Sequence, residues 1–286
     1  MKKNLFVRFP EGRKKALTFS YDDGVQQDQR MVAILDSHGM KGTFNLNSGL
    51  FREEGVPFAE GQIHRRMTER EILETFGGGR HEVAVHALTH PFLNTLPAAA
   101  IVEEVLEDRK NLERLFGKIV RGMAYPYGTS GATETAVRVL RDCGIAYSRT
   151  TVSTGKFDLP TDWYRLPATC HHKDARLMEL ARTFVEGEVK QQNAQLFYLW
   201  GHTYEFEADN NWNVIEAFTD YMAGRENEVW YATNIEIFDY MQAYGRMEFA
   251  ADLGRVHNPS AIPLWFELNK ALYTVAPGET LDLTKA

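Results

Sequence analysis

Cysteine is nearly absent: Cys143 and Cys170 are the only two among 286 residues. Two isolated thiols exclude a disulfide framework and suit a reducing compartment or ordinary burial. Long apolar runs are missing too. No stretch approaches the roughly 20 apolar residues that span a bilayer. The basic start, Met1 to Gly12, offers only Leu5, Phe6 and Val7 as an apolar run. That is too short for a secretory signal, so a cytoplasmic protein with no membrane anchor is expected. Positive charge is not in excess either. Lys and Arg number 32 against 39 Asp and Glu, a net charge of -7. This balance gives no electrostatic footing for nucleic acid or an anionic lipid surface. Internal repeats and low-complexity segments are not evident.

What is present is ordinary for a globular chain. Hydrophobic residues make up 44%, enough to bury a normal core, and the length suits a single α/β barrel. Strand-like segments at 15–22, 41–47, 81–86, 119–128, 145–150, 196–202 and 229–233 alternate with helical patterns. The helical patterns lie at 26–40, 68–79, 97–117, 132–144, 176–191, 211–224 and 234–247. The longest opens on Pro97 and stops at Gly117, the usual asymmetry of helix ends. Such alternation predicts parallel strands joined by crossover helices and closed into a barrel. The tail, 255–286, holds two β-like pieces and no clear helix. The expected organisation is a barrel over 1–250 and a small β extension, 251–286, packed on it.

The informative polar residues follow predicted strands. Asp22 and Asp23 follow the first; His86 and His90 follow the third; Tyr125-Pro126-Tyr127-Gly128 follows the fourth; His202 follows Leu199-Trp200-Gly201. In an α/β barrel that end of the strands is the catalytic face. Singly, each has a plain structural reading: Asp-Asp-Gly is a common turn, and a buried His is often structural. Together they call for one explanation. Two imidazoles and one carboxylate can hold a metal ion with positions left open. The metal then offsets the repulsion between adjacent carboxylates, leaving the second free to act as a base.

At these residues the sequence resembles the polysaccharide deacetylases, metal-dependent carbohydrate esterases. Thr18–Gly24 is similar to the family's first motif, and His86-Ala87-Leu88-Thr89-His90 to its second. Ala124–Gly128 is similar to the third and Leu199–His202 to the fifth, with a weaker likeness of Asp162–Pro167 to the fourth. The resemblance implies a distorted (β/α) barrel that hydrolyses N- or O-acetyl groups on a carbohydrate and releases acetate. It implies Asp23, His86 and His90 as ligands of a divalent metal, zinc by default, with cobalt or nickel compatible. Asp22 would be the general base, His202 the general acid, and the backbone N–H of Tyr127 an oxyanion donor. Tyr125, Pro126, Trp163, Trp200 and Tyr204 would contact the acetylated sugar. Two alternatives stand beside this: a metal-dependent amidase on a small non-polymeric amide, and a catalytically impaired carbohydrate-binding relative.

Three departures from the family pattern matter. Ala87 replaces a loop-stabilising hydroxyl, Ala124 replaces an arginine, and Trp200 replaces leucine. Arg121 and Arg165 are the candidates to supply the missing guanidinium. Cys170-His171-His172 invites a second metal site, but no further Cys or His stands at ligand spacing. His38, His64, His81 and His257 read as ordinary residues. Glu205 and Trp212 could border a substrate groove, Glu205 also reading as a helix-capping residue. Trp212 and Trp230 suit sugar stacking or core equally.

Overall fold

The computed structural model describes residues 4–284. Its strands are β1 (Leu5–Arg8), β2 (Lys15–Asp22), β3 (Thr43–Leu46), β4 (Glu82–Val85), β5 (Gly122–Ala124), β6 (Tyr147–Ser153), β7 (Leu166–Ala168), β8 (Cys170–His171), β9 (Gln195–Gly201), β10 (Val229–Tyr231), β11 (Glu248–Phe249), β12 (Arg255–His257), β13 (Leu264–Leu268), β14 (Ala271–Val275) and β15 (Thr280–Asp282). The helices are α1 (Gln27–Ser37), α2 (Glu69–Phe76), α3 (Ala98–Phe116), α4 (Glu134–Asp142), α5 (Leu177–Glu186), α6 (Tyr204–Ala208), α7 (Asn213–Met222) and α8 (Asn234–Gly245).

The main sheet is parallel, in the order β7-β6-β5-β4-β3-β2-β9-β8, with β10 added beside the start of β2. Its two ends are one piece of chain. β7 pairs with β6 and β8 pairs with β9, yet only Thr169 separates β7 from β8. The run 166–171 therefore bonds one neighbour with its first half and the other with its second, and the sheet closes into a distorted (β/α) barrel. The sequence pattern missed this run because it is short and interrupted by Pro167.

Strand β2 shows how the barrel is made. All eight of its residues are buried. Leu17, Phe19 and Tyr21 face the helices and pack in the largest apolar core with Met31, Leu35, Phe197 and Phe218. On the opposite face Thr18, Ser20 and Asp22 meet polar partners: Thr18 donates to Asn234 at 2.7 Å, and Ser20 accepts from Asn45 at 2.9 Å. The inside of the barrel is thus partly polar, and its polar column leads up to Asp22.

The tail is richer in strand than expected. It contains β12 to β15 rather than two β pieces. These form two three-stranded antiparallel sheets, β1-β13-β14 and β11-β12-β15. The N-terminal strand thus joins the C-terminal extension, with Leu5 opposite Leu268. Tyr240 on α8 fastens them to the barrel, donating to the Arg8 carbonyl at 2.6 Å and accepting from the Trp265 N–H at 3.1 Å. Among the described residues no helix is long and apolar enough to cross a membrane.

At the opposite end of the barrel from Asp22, Glu82 accepts from Thr43 (2.8 Å), the Ile235 N–H (2.9 Å) and Tyr147 (2.8 Å). Burial pushes its carboxyl up to about 7. The folded chain therefore keeps a proton that the unfolded chain releases above about 4.5. Glu82 is expected to make stability fall as pH rises from about 4.5 to about 7, then level off. Denaturant titrations across pH should show Glu82→Gln losing that part of the slope. Because its amide opposes a donor, the variant should also be about 1–3 kcal/mol less stable. An unchanged slope would refute the assignment.

Candidate active site

The turns after β2 and β4 bring Asp23, His86 and His90 together. Asp23 Oδ1 lies 4.0 Å from His86 Nε2 and 3.8 Å from His90 Nε2, and the three ligand atoms all fall within 4.8 Å of one another. The donor set fits a divalent cation. His86 donates from Nδ1 to the Ala124 carbonyl at 2.8 Å, so its Nε2 lone pair faces the cavity. Burial pulls its pKa down to about 4, which keeps the ring neutral as ligation requires. Burial lowers His90 as well. Burial would raise Asp23, but hydrogen bonding from His64 and the charge of Arg66 override it and hold the carboxyl well below the usual range. His64 Nε2 sits 3.1 Å from Asp23 Oδ2, and Arg66 donates to Oδ1 at 3.1 Å. A carboxylate oxygen has lone pairs enough to accept Arg66 and still ligate a cation. His64 is thus part of the site and not the ordinary residue expected.

Asp22 is held separately. Its Oδ1 accepts from Asn45 at 2.8 Å, and its Oδ2 is ion-paired with Arg149. Burial would push this carboxyl up; the Arg149 guanidinium, with His86 and His202 behind it, outweighs burial and lowers it. Arg149 is the guanidinium that Ala124 lacks. The two are register partners on β5 and β6, so the arginine has moved one strand over. Arg121 and Arg165 do not serve: Arg121 pairs with Asp239, and Arg165 with Glu134 and Asp162. The Arg149 guanidinium lies 4.4 Å over the Trp200 ring. The departures at 124 and 200 are therefore linked, since the indole supports the displaced arginine. Nothing in the motifs marked Arg149; the available signal was a lone arginine in the first, buried half of a strand.

His202, after β9, points Nε2 at Asp22 Oδ2 (3.8 Å) and Nδ1 at Glu205 Oε2 (3.4 Å). Burial would lower its pKa, but Glu205, Asp22 and Asp23 together raise it. Glu205 also accepts from the His202 N–H at 3.3 Å, one residue ahead of the helix cap at Thr203, so it holds the site turn and does not cap the helix. Tyr204 is near: its ring lies 4.8 Å from that of His64 and 5.4 Å from that of His202.

Other expected contacts divide. Tyr127 is half-exposed, its ring 4.6 Å from that of His90 and stacked on Phe92 at 3.6 Å. Tyr125 is buried and donates to the Tyr164 carbonyl at 2.9 Å, and Pro126 is buried too. Tyr125 therefore turns its hydroxyl into the protein rather than toward a substrate. Trp163 lies elsewhere: it packs 5.1 Å from Phe238 on α8, which borders Tyr147 at the first residue of β6. Its neighbour Asp162 caps its own turn through the Tyr164 N–H at 2.9 Å. Trp212 packs against Phe206 and under Arg30, and Trp230 against Phe9 and Tyr240, both as partly buried side chains at the margin of the core.

The turns that carry these groups are strained. Asp23 (φ 89°), Ala87 (φ 62°), His90 (φ 56°) and Tyr127 (φ 55°) are all non-glycine residues in the left-handed region. Such conformations cost of order 1–3 kcal/mol each and gather where a site over-determines them. Asn47 holds the His86–Ala87 turn by donating to the Ala87 carbonyl at 2.7 Å, doing the work of the missing hydroxyl.

Comparison with known proteins points to one family. The family model described as polysaccharide deacetylase matches residues 10–148. No curated protein matches the chain significantly. A putative polysaccharide deacetylase from Mycobacterium smegmatis overlays with a TM-score of 0.58 at 14% identity, over 84% of this chain and 94% of its own. The Xyl-CE4 domain of a multidomain xylanase from the hindgut metagenome of Trinervitermes trinervoides gives 0.51 at 15% identity, over 80% and 92%. The chain spans 55% of the Streptococcus pyogenes deacetylase PplD, solved in complex with acetate, at 18% identity, a TM-score of 0.41 and 47% of this chain. At such identities the first two overlays speak for the shared fold alone.

Proposed function

Since this chain belongs to the polysaccharide deacetylase family, we propose that it is a divalent-cation-dependent hydrolase that removes acetyl groups from a carbohydrate. One observation carries the reading: Asp23, His86 and His90 converge beside a second carboxylate, Asp22, that is held ionised by its own arginine. Asp23, His86 and His90 would hold the cation, with zinc the default and cobalt or nickel compatible, and it would supply Lewis acidity to the acyl oxygen and to water.

The chain's own groups supply the proton traffic. Asp22 Oδ2 accepts the proton of the attacking water, and Arg149 keeps it unprotonated until then. His202, its pKa raised, gives a proton to the departing amine or alkoxide. The N–H of Tyr127, which donates to no group among the described residues, suits the developing oxyanion. Water and the acetylated sugar become acetate and a free amine or hydroxyl. Phe92 and Tyr127, stacked and both about half exposed, offer a flat apolar face beside His90 for a sugar ring. Trp200 and Tyr204 border the same mouth.

Cation-loaded protein should release acetate from a panel of N- and O-acetylated oligosaccharides and not from small non-sugar amides. The reverse preference would favour an amidase. No release from either would favour a carbohydrate-binding relative without turnover. Asp22→Asn should retain the cation while losing about 10²-fold or more in acetate release; full activity in that variant would remove Asp22 from its role.

A further inference from the structure

Beside the first centre stands a second group of ligating side chains that the chemistry above does not absorb. Glu205 Oε2 lies 3.2 Å from His171 Nε2 and 3.4 Å from His202 Nδ1, and the three atoms fall within 4.8 Å of one another. Bonds of about 2.0–2.1 Å to a tetrahedral cation set neighbouring donors about 3.3 Å apart. These separations match that span more closely than the 3.8 and 4.0 Å of the Asp23 group. The side chains are between 17% and 23% exposed, so an ion can enter and a fourth position stays open.

His172 gives a second, independent observation. It is 2% exposed, neither of its ring nitrogens has a hydrogen-bond partner, and its Nε2 is aimed at the same Glu205 oxygen from 3.3 Å. A buried imidazole that makes no hydrogen bond yet lies against a carboxylate is a polar group aimed into the cluster with no protein partner to explain it. Gly201 makes this approach possible, since a Cβ there would fall 2.0 Å from His172 Nδ1. Lys173 takes the other oxygen, Oε1, at 3.2 Å, and also pairs with Asp209 at 2.8 Å, leaving Oε2 to the imidazoles and the His202 N–H.

We infer that His171, His202 and Glu205 form a second site for a divalent transition cation, in the zinc class set by two imidazoles and a carboxylate. The cation takes the place of the proton on His202 Nδ1, so a chain with this centre filled cannot use His202 as the acid proposed above, and the bound ion is inhibitory. This centre shares only His202 with the chemistry proposed above.

The test is zinc stoichiometry on tag-free full-length protein, loaded with excess Zn2+, desalted and counted by elemental mass spectrometry. The expected result is two zinc ions per chain, one in His171→Ala, one in Asp23→Asn, and none in the double variant. Should His171→Ala fail to fold by circular dichroism, Asp23→Asn decides alone: one retained zinc supports the second centre, and none overturns it. One zinc in both wild type and His171→Ala, lost in Asp23→Asn, would also overturn it, the Glu205 cluster then holding protons only. If Asp23→Asn keeps the full wild-type complement while His171→Ala loses one ion, the first centre fails and the second stands.

Discussion

His86→Ala is expected to leave the purified protein without the cation of its first centre and to lower acetate release by at least about 10³-fold. The ring is 1% exposed, and its Nδ1 is committed to the Ala124 carbonyl. The lone pair on Nε2 therefore has one direction, and no neighbour can take its place. His64 is occupied at Asp23 Oδ2, and His202 is held between Asp22 Oδ2 and Glu205 Oε2. Lewis-acid stabilisation is worth several kcal/mol of barrier, and each 1.36 kcal/mol is tenfold in rate. Metal content after dialysis and acetate release on the same sample are the measurements, with circular dichroism to confirm the fold. Unchanged metal at the first centre would refute His86 as a ligand.

Arg149→Met is expected to do more to the fold than any other single change at the site. Asp22 and Arg149 are 3% and 1% exposed in their side chains. Removing one partner of such a pair leaves a buried charge uncompensated, a loss of about 3–5 kcal/mol. Linkage gives the same sign. Asp22 is depressed in the folded chain, so it contributes stability above the usual carboxylate pKa that is lost as pH falls. With the guanidinium gone, burial dominates and the carboxyl rises. The variant should therefore be least stable near neutral pH relative to wild type, and its activity should need higher pH. The double variant Arg149→Met/Asp22→Asn should recover much of the lost stability, because neither charge remains. Denaturant midpoints for the four proteins of this cycle give the coupling directly, and a single variant as stable as wild type would show that the pair contributes nothing.

Much of this was legible in the residues themselves. Alternating patterns located α1 to α5, α7 and α8 within a few residues, since amphipathic spacing and glycine stops are local signals. Asp22, Asp23, His86, His90 and His202 could be placed at one end of the barrel because each follows a strand. What the sequence hid is what the fold alone brings together. Arg149 stands 127 residues from Asp22, yet reaches it because β6 lies beside β5. His171 and Glu205 meet although 34 residues apart, so no further ligand stands near Cys170 in the chain itself. Trp163 was misplaced for the converse reason: a local likeness to a motif says nothing of which end of the cylinder a turn occupies.

The seam at 166–171 bears on how the chain is born. Its second partner, β9, ends at residue 201, so the ring cannot be completed until that much polypeptide has left the ribosome. Until then β2 carries a bare flank whose backbone N–H and C=O groups are open to any other extended segment. The unfinished cylinder is thus the stage at which a nascent copy is most exposed to clumping with its siblings.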